Sequence, residues 1–244
     1  MVTTLITVAM LAANKPSIYY GPEAKLGQGT VKSYVAMNAA GDPTAVGLIM
    51  TEAALEGLPN TKPAEGDGYE LVLSLPKETK STVFNHIGVD WNPVGHVPIG
   101  VYNVPHFDFH FYMMSESARK QITLKEDDMK RCQEKPPADM IPEGYIYAPE
   151  SEIKFMGAHW VDLKTPELNG GKFTQTFIYG SYAGKVNFIE PMVSLAFLQS
   201  KPNLTAPIKQ PKAFAWKNRA FPTEFSIRHD SLRHTYTIEL GKLK

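Results

Sequence analysis

Residues 105–114 read Pro105-His106-Phe107-Asp108-Phe109-His110-Phe111-Tyr112-Met113-Met114. Successive side chains of a β-strand point to opposite faces of its sheet. One face of this strand therefore carries only apolar residues: Phe107, Phe109, Phe111 and Met113. The other face carries two imidazoles, a carboxylate and a phenol: His106, Asp108, His110 and Tyr112. The pattern predicts a strand with one core face and one face suited to chemistry.

The segments around this stretch also alternate between apolar and polar residues, and Pro- and Gly-rich turns separate them. Strands are predicted at residues 30–38, 44–50, 69–75, 81–89, 105–114, 157–162, 173–180, 185–190, 224–229 and 233–240. Residues 115–135 are rich in charged residues and helix formers, which predicts one or two helices. A short helix is also predicted within residues 191–199, whereas residues 18–29 and 136–150 are expected to be surface connections.

These elements favour a mainly β (β-rich α+β) fold, an antiparallel barrel or sandwich of about nine or ten strands with a few short helices. We expect residues 14–244 to form a single β-rich domain, since sandwiches and barrels of ~200–250 residues are often one domain. Residues 1–13 are either the remnant of an export signal or a first strand. Export is favoured over a cytoplasmic location, and the apolar run is too short to span a membrane.

Charge and cysteine content exclude several classes of function. The 25 basic and 25 acidic residues cancel, so no basic surface for nucleic acid is expected. The single cysteine, Cys132, excludes an intrachain disulfide and a Cys-based zinc cluster. There is no Gly-rich phosphate loop, which argues against a nucleotide cofactor.

Five of the seven histidines lie between residues 86 and 159, and histidine is the commonest metal ligand. His106 and Asp108 lie on one face about 7 Å apart along the strand, and Asp108 and His110 form an equally good pair. His159 would complete a set of two histidines and one carboxylate for Fe, Mn, Zn or Cu. His106 and His110 are about 13 Å apart in a regular strand, so both bind one ion only if a bulge intervenes.

Two further residues are candidates for catalysis. Glu190 ends the predicted strand at 185–190, in which the alternate positions are apolar, and a carboxylate there needs a metal, arginine or histidine as partner. It is either a fourth metal ligand, a general base or a strand-end residue that points to water. Tyr112 is predicted to donate a phenolic hydrogen bond to a substrate, although core tyrosines are common.

Two functions are consistent with these residues. The leading hypothesis is a metal-dependent enzyme, of the non-haem oxidoreductase or of the lyase or hydrolase type, acting on a small molecule in a β-barrel pocket. The alternative is a non-catalytic exported protein that binds a ligand or forms a homo-oligomer through its aromatic strands. In that case the histidines are hydrogen-bonded structural residues paired with Asp90, Asp108 and Asp162.

Three longer motifs carry a family resemblance: Asp90-Trp91-Asn92-Pro93 through Tyr112, Gly157-x-His159-Trp160-Val161-Asp162, and Phe177 through Met192. With them, residues 26–200 resemble the TTHB210-like domain family. The resemblance implies a compact β-rich domain, often exported, and carries over no functional residue. A weaker similarity is to cupins, whose barrels hold a metal with histidines and a glutamate, but here His-x-Asp-x-His replaces their His-x-His.

Overall fold

The computed structural model of the protein describes residues 15–244. The two interpretations of residues 1–13 therefore concern a segment outside the described residues.

Thirteen strands form two antiparallel sheets. Sheet A contains, in spatial order, β1 (Ser17–Leu26), β2 (Gly29–Met37), β3 (Pro43–Thr51), β13 (Thr235–Gly241), β12 (Glu224–Asp230) and β11 (Asn203–Pro207). Sheet B contains β4 (Tyr69–Ser74), β5 (His86–Asn92), β6 (His106–Tyr112), β10 (Lys185–Ser194), β9 (Gln175–Tyr182), β8 (Ala158–Asp162) and β7 (Tyr145–Tyr147). The alternating aromatic strand β6 thus lies inside sheet B, between β5 and β10.

The helices are short and lie between strands. They are α1 (Glu116–Arg119), α2 (Glu126–Gln133), α3 (Leu195–Gln199) and the 3₁₀ helices Glu52–Leu55, Lys77–Ser81, Ala138–Met140 and Pro166–Asn169. Ser115 caps α1 by accepting a hydrogen bond from the backbone N–H of Ala118. The mainly β character with few helices is confirmed.

The two sheets pack face to face and share one hydrophobic core. The phenylalanines of β6 join it from sheet B, and Val35, Leu48 and Ile238 join it from sheet A. Each buried aromatic side chain contributes about 1.5–3 kcal/mol through removal of its surface from water. The arrangement is a sandwich, and the described residues form no closed barrel.

The outer face of sheet B, which points away from sheet A, is also covered. Every residue of β6 is buried, including His106 and His110. A small second cluster, in which Tyr102 and Phe173 pack with Ile178 and Met192, covers part of this face. The polar face of β6 is thus enclosed by loops, and the candidate site lies there rather than in a barrel interior.

Three strands occur where no strand is predicted. Residues 18–29, expected to be a surface connection, contain most of β1, an edge strand that pairs with β2. Its Gly21 and Pro22 lie at a register shift between Tyr20 and Glu23, so the proline needs no ladder hydrogen bond. The short edge strands β7 and β11 have too few residues to show a period of two.

Two predicted boundaries are also wrong. β5 begins at His86 rather than at residue 81, because Lys77–Ser81 forms a 3₁₀ helix. β10 continues through Pro191 to Ser194, and only Leu195–Gln199 is helical. Glu190 is therefore a buried mid-strand residue, not a strand-end residue that points to water.

Candidate metal centre

Strand pairing concentrates polar side chains on the outer face of sheet B. On β5, Asp90 lies opposite Asp108 and Asn92 lies opposite His106. On the other side of β6, the register that pairs Ile189 with Phe111 and Met192 with Asp108 sets Glu190 beside His110. Three buried carboxylates and two buried imidazoles therefore meet on neighbouring positions of three strands.

Pro191 explains an interruption of the sheet at this point. The pairing of β10 with β6 skips Glu190 and Pro191, although the register is the same on both sides of the gap. Proline has no backbone N–H to donate to a ladder. The break lies at Glu190, whose carboxylate faces His110 Nε2.

The side chains form two groups, each with two histidines and one carboxylate. We call them the Glu190 group, with His110, His159 and Glu190, and the Asp108 group, with His96, His106 and Asp108. In each group one atom from each residue lies within 4.8 Å of the others. Two histidines and one carboxylate with open positions are the usual ligands of non-haem iron.

In the Glu190 group both imidazoles approach the same carboxylate oxygen. Glu190 Oε2 lies 3.4 Å from His110 Nε2 and 3.9 Å from His159 Nε2. Ligand atoms bound to one metal at 2.0–2.2 Å lie roughly 3.0–3.5 Å apart when they are adjacent. The group is thus slightly wider than a loaded site.

A glycine and a phenylalanine position His159 in this group. His159 on β8 lies opposite Gly180 on β9, and a side chain at Gly180 would collide with the Phe188 ring. The absence of that side chain allows the Phe188 ring to pack at 4.9 Å from the His110 ring and 5.1 Å from the His159 ring. Phe188 therefore packs against both imidazoles as an apolar neighbour.

In the Asp108 group the two imidazoles approach different oxygens of one carboxylate. His106 Nε2 lies 3.2 Å from Asp108 Oδ1, and His96 Nε2 lies 3.4 Å from Asp108 Oδ2. The Asn92 amide donates a hydrogen bond of 2.7 Å to Oδ2 and fixes the carboxylate.

The loop between β5 and β6 supplies His96 to this group. Gly95 has a φ of +70°, and a side chain there would lie 2.1 Å from the Tyr102 carbonyl oxygen. The next backbone N–H, that of His96, donates to the same Tyr102 carbonyl. The His96 ring then packs edge-on against the His106 ring at 4.7 Å.

The same hydrogen-bond pattern fixes the tautomer of all four ligand histidines. Nδ1 contacts a backbone carbonyl oxygen at 2.7 Å in His96, His106 and His159. In His110, Nδ1 contacts Asp90 Oδ2 at 2.9 Å. These oxygens only accept, so each Nδ1 carries a proton. In the neutral form of each ring, the lone pair of Nε2 therefore faces a carboxylate. Metal-binding histidines are usually oriented in this way.

Four atoms at the centre of the groups are buried and have no hydrogen-bond partner in the described part of the chain: His106 Nε2, Asp108 Oδ1, His110 Nε2 and Glu190 Oε2. Among the described residues, no lysine or arginine forms an ion pair with Asp108 or Glu190. Burying unpaired carboxylates is costly. Only a proton or a metal ion between nitrogen and oxygen satisfies both atoms.

Without a metal, the pKa shifts reflect this demand for positive charge. Burial lowers the pKa of His110, but the Glu190 charge and the Asp90 hydrogen bond outweigh burial and raise it to about 9. For His96, Asp108 likewise outweighs burial and raises the pKa to about 9. Burial raises the pKa of Glu190 to about 8. Burial and the His110 charge lower the pKa of His159 to about 4, so this ring keeps a free lone pair at neutral pH.

The structure divides the residues predicted as metal ligands between the two groups. His106 and Asp108 lie together, whereas His159 lies with His110 and with Glu190, the predicted catalytic residue. Tyr112 stacks between the rings of His110, at 5.5 Å, and His86, at 4.7 Å. Its hydroxyl is buried and has no partner, so its role towards a substrate stays a prediction.

Sequence reasoning did not assign three residues of these groups. His96 lies in a loop, where no periodicity indicates the direction of a side chain. Asp90 and Asn92 lie on β5, and their place on the polar face follows only from the pairing of β5 with β6. Positions 86, 88, 90 and 92 of β5 share one face of the strand, and three of them are His86, Asp90 and Asn92. This alternation in the sequence could have indicated a second polar face beside that of β6.

Comparison with known families gives one match. The TTHB210-like family model matches residues 38–91. The family is described as "Hypothetical protein TTHB210", and the match confirms the predicted resemblance over these residues, which end within β5. It covers Asp90 but not β6, β8 or β10. No curated protein and no solved structure matches the chain.

Within residues 15–244, none of the helices combines the length and the apolar character that a membrane crossing requires.

Proposed function

We propose that the chain is a metal-dependent enzyme of the non-haem type, in which His110, His159 and Glu190 hold a divalent first-row transition metal. The observation that carries the proposal is the convergence of two Nε2 lone pairs on the unpartnered oxygen Glu190 Oε2. Iron suits two imidazoles and one carboxylate best, and Mn, Zn and Cu are the other candidates.

The surroundings support this assignment. Asp90 accepts the Nδ1 hydrogen of His110 and thereby increases the basicity of Nε2, as carboxylates behind metal-binding histidines do. Phe188 and Tyr112 pack around His110 and keep water from the buried side of the group. His159 has the most exposed side chain of the three, at 15%, so a small-molecule substrate would approach past this ring.

Three protein ligands leave coordination positions open, which is the arrangement of a catalytic rather than a purely structural site. A metal bound there supplies Lewis acidity or redox chemistry to a small molecule beside it. Glu190 then acts as a ligand. Because the metal would occupy Oε2, this oxygen would not be available to act as a general base.

Metal analysis of untagged protein tests the proposal. Protein purified without a histidine tag should contain Fe, Mn, Zn or Cu, or should take up Fe(II) under anaerobic conditions. Nitric oxide added to the iron-loaded protein should give the electron paramagnetic resonance signal of a high-spin iron–nitrosyl species, which reports an open position. His234→Ala, at an exposed histidine outside both groups, is the matched control and should keep the signal.

Protein that contains none of these metals and takes up none would overturn the proposal. The non-catalytic alternative, a ligand-binding or oligomer-forming protein, makes a different prediction. In that case His159→Ala changes stability or assembly without removing any metal.

A further inference from the structure

We propose that the Asp108 group is a second metal site, so that the outer face of sheet B holds two ions. This inference goes beyond the proposed function, because its ligands are different residues and its occupancy does not require a catalytic Glu190 group. The ligand class is again a divalent transition metal bound by two imidazoles and one carboxylate.

The donor atoms of the second site are oriented before any ion binds. His106 and His96 each donate Nδ1–H to a carbonyl oxygen of the loop between β5 and β6, that of Val104 and that of Val97, at 2.7 Å. Both rings therefore direct Nε2 to the Asp108 carboxylate, His106 to Oδ1 at 3.2 Å and His96 to Oδ2 at 3.4 Å. The distance from His106 Nε2 to Asp108 Oδ1 agrees with the roughly 3.0–3.5 Å expected for adjacent ligands of one metal with 2.0–2.2 Å bonds. One ligand atom from each of His96, His106 and Asp108 lies within 4.8 Å of the others.

The buried atoms of this group independently indicate a ligand. His106 is fully buried, Asp108 is 5% exposed, and their facing atoms Nε2 and Oδ1 both lack a hydrogen-bond partner. A neutral His106 ring would hold two acceptors against each other at 3.2 Å. An ion between them removes that repulsion and satisfies both atoms.

Asn92 and His96 complete the site in different ways. Asn92 donates to Asp108 Oδ2 and leaves Oδ1 for the ion, which is the role of an outer residue that orients a ligand. The side chain of His96 is 23% exposed and closes the site towards solvent. Metal would therefore enter beside the loop between β5 and β6.

The two sites are neighbours but do not share a ligand. Asp108 and His110 are alternate residues of β6, so their backbones are about 7 Å apart. Metal pairs that share a bridging ligand are only about 3.5–4 Å apart. The strand spacing therefore favours two separate ions. Asp90 lies between the two sites: it is opposite Asp108 in the pairing of β5 with β6, and its carboxylate accepts the Nδ1 hydrogen of His110.

Metal stoichiometry in matched variants tests the second site. Untagged protein is loaded anaerobically with Fe(II), and in a parallel sample with Zn(II), then passed through a desalting column and analysed for metal per chain. Wild type should hold about two ions per chain, in line with two sets of three ligands. His96→Ala and Asp108→Asn should each hold about half as much metal, and so should His159→Ala, which removes a ligand of the other group.

The results separate the two proposals. One ion in wild type that is lost in His159→Ala but kept in His96→Ala and Asp108→Asn would overturn the second site and leave the proposed function intact. One ion with the opposite pattern would overturn the proposed Glu190 site and leave the Asp108 site. No metal in wild type would overturn both. Asp108→Asn preserves the size of the side chain, so it reports on the site if the loop of His96→Ala rearranges.

Discussion

The Glu190 group and a cluster on sheet A use the same side chains, two histidines and a glutamate. In the sheet A cluster, Glu52 accepts hydrogen bonds from Lys201 at 2.8 Å, from His234 at 3.0 Å and from His229. Within residues 15–244, Glu190 pairs with no lysine, and its facing oxygen has no hydrogen-bond partner. The comparison shows that the residue types do not define a metal site. The decisive properties are burial and unsatisfied donor atoms.

The pKa values of the two glutamates differ in the same way. The hydrogen bond from Lys201, followed by those from His229 and His234, lowers the pKa of Glu52 to about 2. Burial raises the pKa of Glu190 to about 8. Glu52 is therefore a satisfied carboxylate in an ion-pair network, whereas Glu190 has a strong preference for a bound proton or metal.

Replacing one glutamate in each cluster should give the largest difference. Glu190→Gln removes a charged ligand, and we expect it to weaken metal binding at its site by more than about 100-fold, beyond the loss seen for outer-shell residues. Glu52→Gln should leave metal affinity unchanged. Isothermal titration with Zn(II) or competition with a chelator measures both. Equal losses in the two variants would break the distinction between the clusters.

Asp90→Asn tests the residue behind His110. The change keeps a hydrogen-bond acceptor for Nδ1 but removes the charge that increases the basicity of the ring. We expect the affinity for metal to fall roughly 10–100-fold, as for other outer-shell carboxylates. The same titration measures this effect, and an affinity equal to that of wild type would show that Asp90 does not support the site.

The melting temperature should depend on pH in opposite directions for the two metal-site groups and for the Glu52 cluster on sheet A. The folded-state pKa values of His96 and His110 are raised from 6.5 to about 9. The protonated rings therefore stabilise the folded protein fully below pH 6.5, and this contribution is lost as the pH rises through 9. The pKa of Glu52 is lowered from 4.5 to about 2, so its stabilisation is present above pH 4.5 and is lost as the pH falls through 2.

Metal-free protein in a chelator should therefore lose melting temperature between pH 6.5 and 9. Protein loaded with Zn(II) should lose less over this range, because the metal replaces the protons. Circular dichroism follows the melting. The same alkaline loss with and without metal would show that protons and metal do not compete for these atoms.

The smallest effect is expected for the stability of Glu52→Gln. Its partners Lys201 and His234 have exposed side chains, and water screens such ion pairs. We expect a small decrease in melting temperature at neutral pH and a reduced loss of stability in acid. A large decrease at neutral pH would show that the network on sheet A is structurally more important than its exposure suggests.

Periodicity was sufficient to predict the centre of the fold. The alternation of β6 correctly places Phe107, Phe109 and Phe111 in the core between the sheets and the polar residues on the other face. The strands that form the hairpin of β9 and β10 and the final pair of β12 and β13 were predicted for the same reason. A period of two is a local property, so the sequence alone contains it.

The grouping of the ligands depends on contacts that no local pattern encodes. Glu190 joins His110 because β10 pairs with β6 in a particular register, and His159 joins them across β9 because position 180 is a glycine. His96 reaches Asp108 because Gly95 turns the loop back onto the sheet. His229 lies next to a turn, a position that indicates an exposed residue, yet its side chain is only 4% exposed.

The most direct test of the metal centre is anomalous X-ray diffraction from crystals of untagged protein loaded with Zn(II). We expect an anomalous peak roughly 2.0–2.2 Å from His110 Nε2, His159 Nε2 and Glu190 Oε2. A well-ordered Glu190 group with no peak, and with the imidazoles hydrogen-bonded directly to the carboxylate, would contradict the proposed metal site.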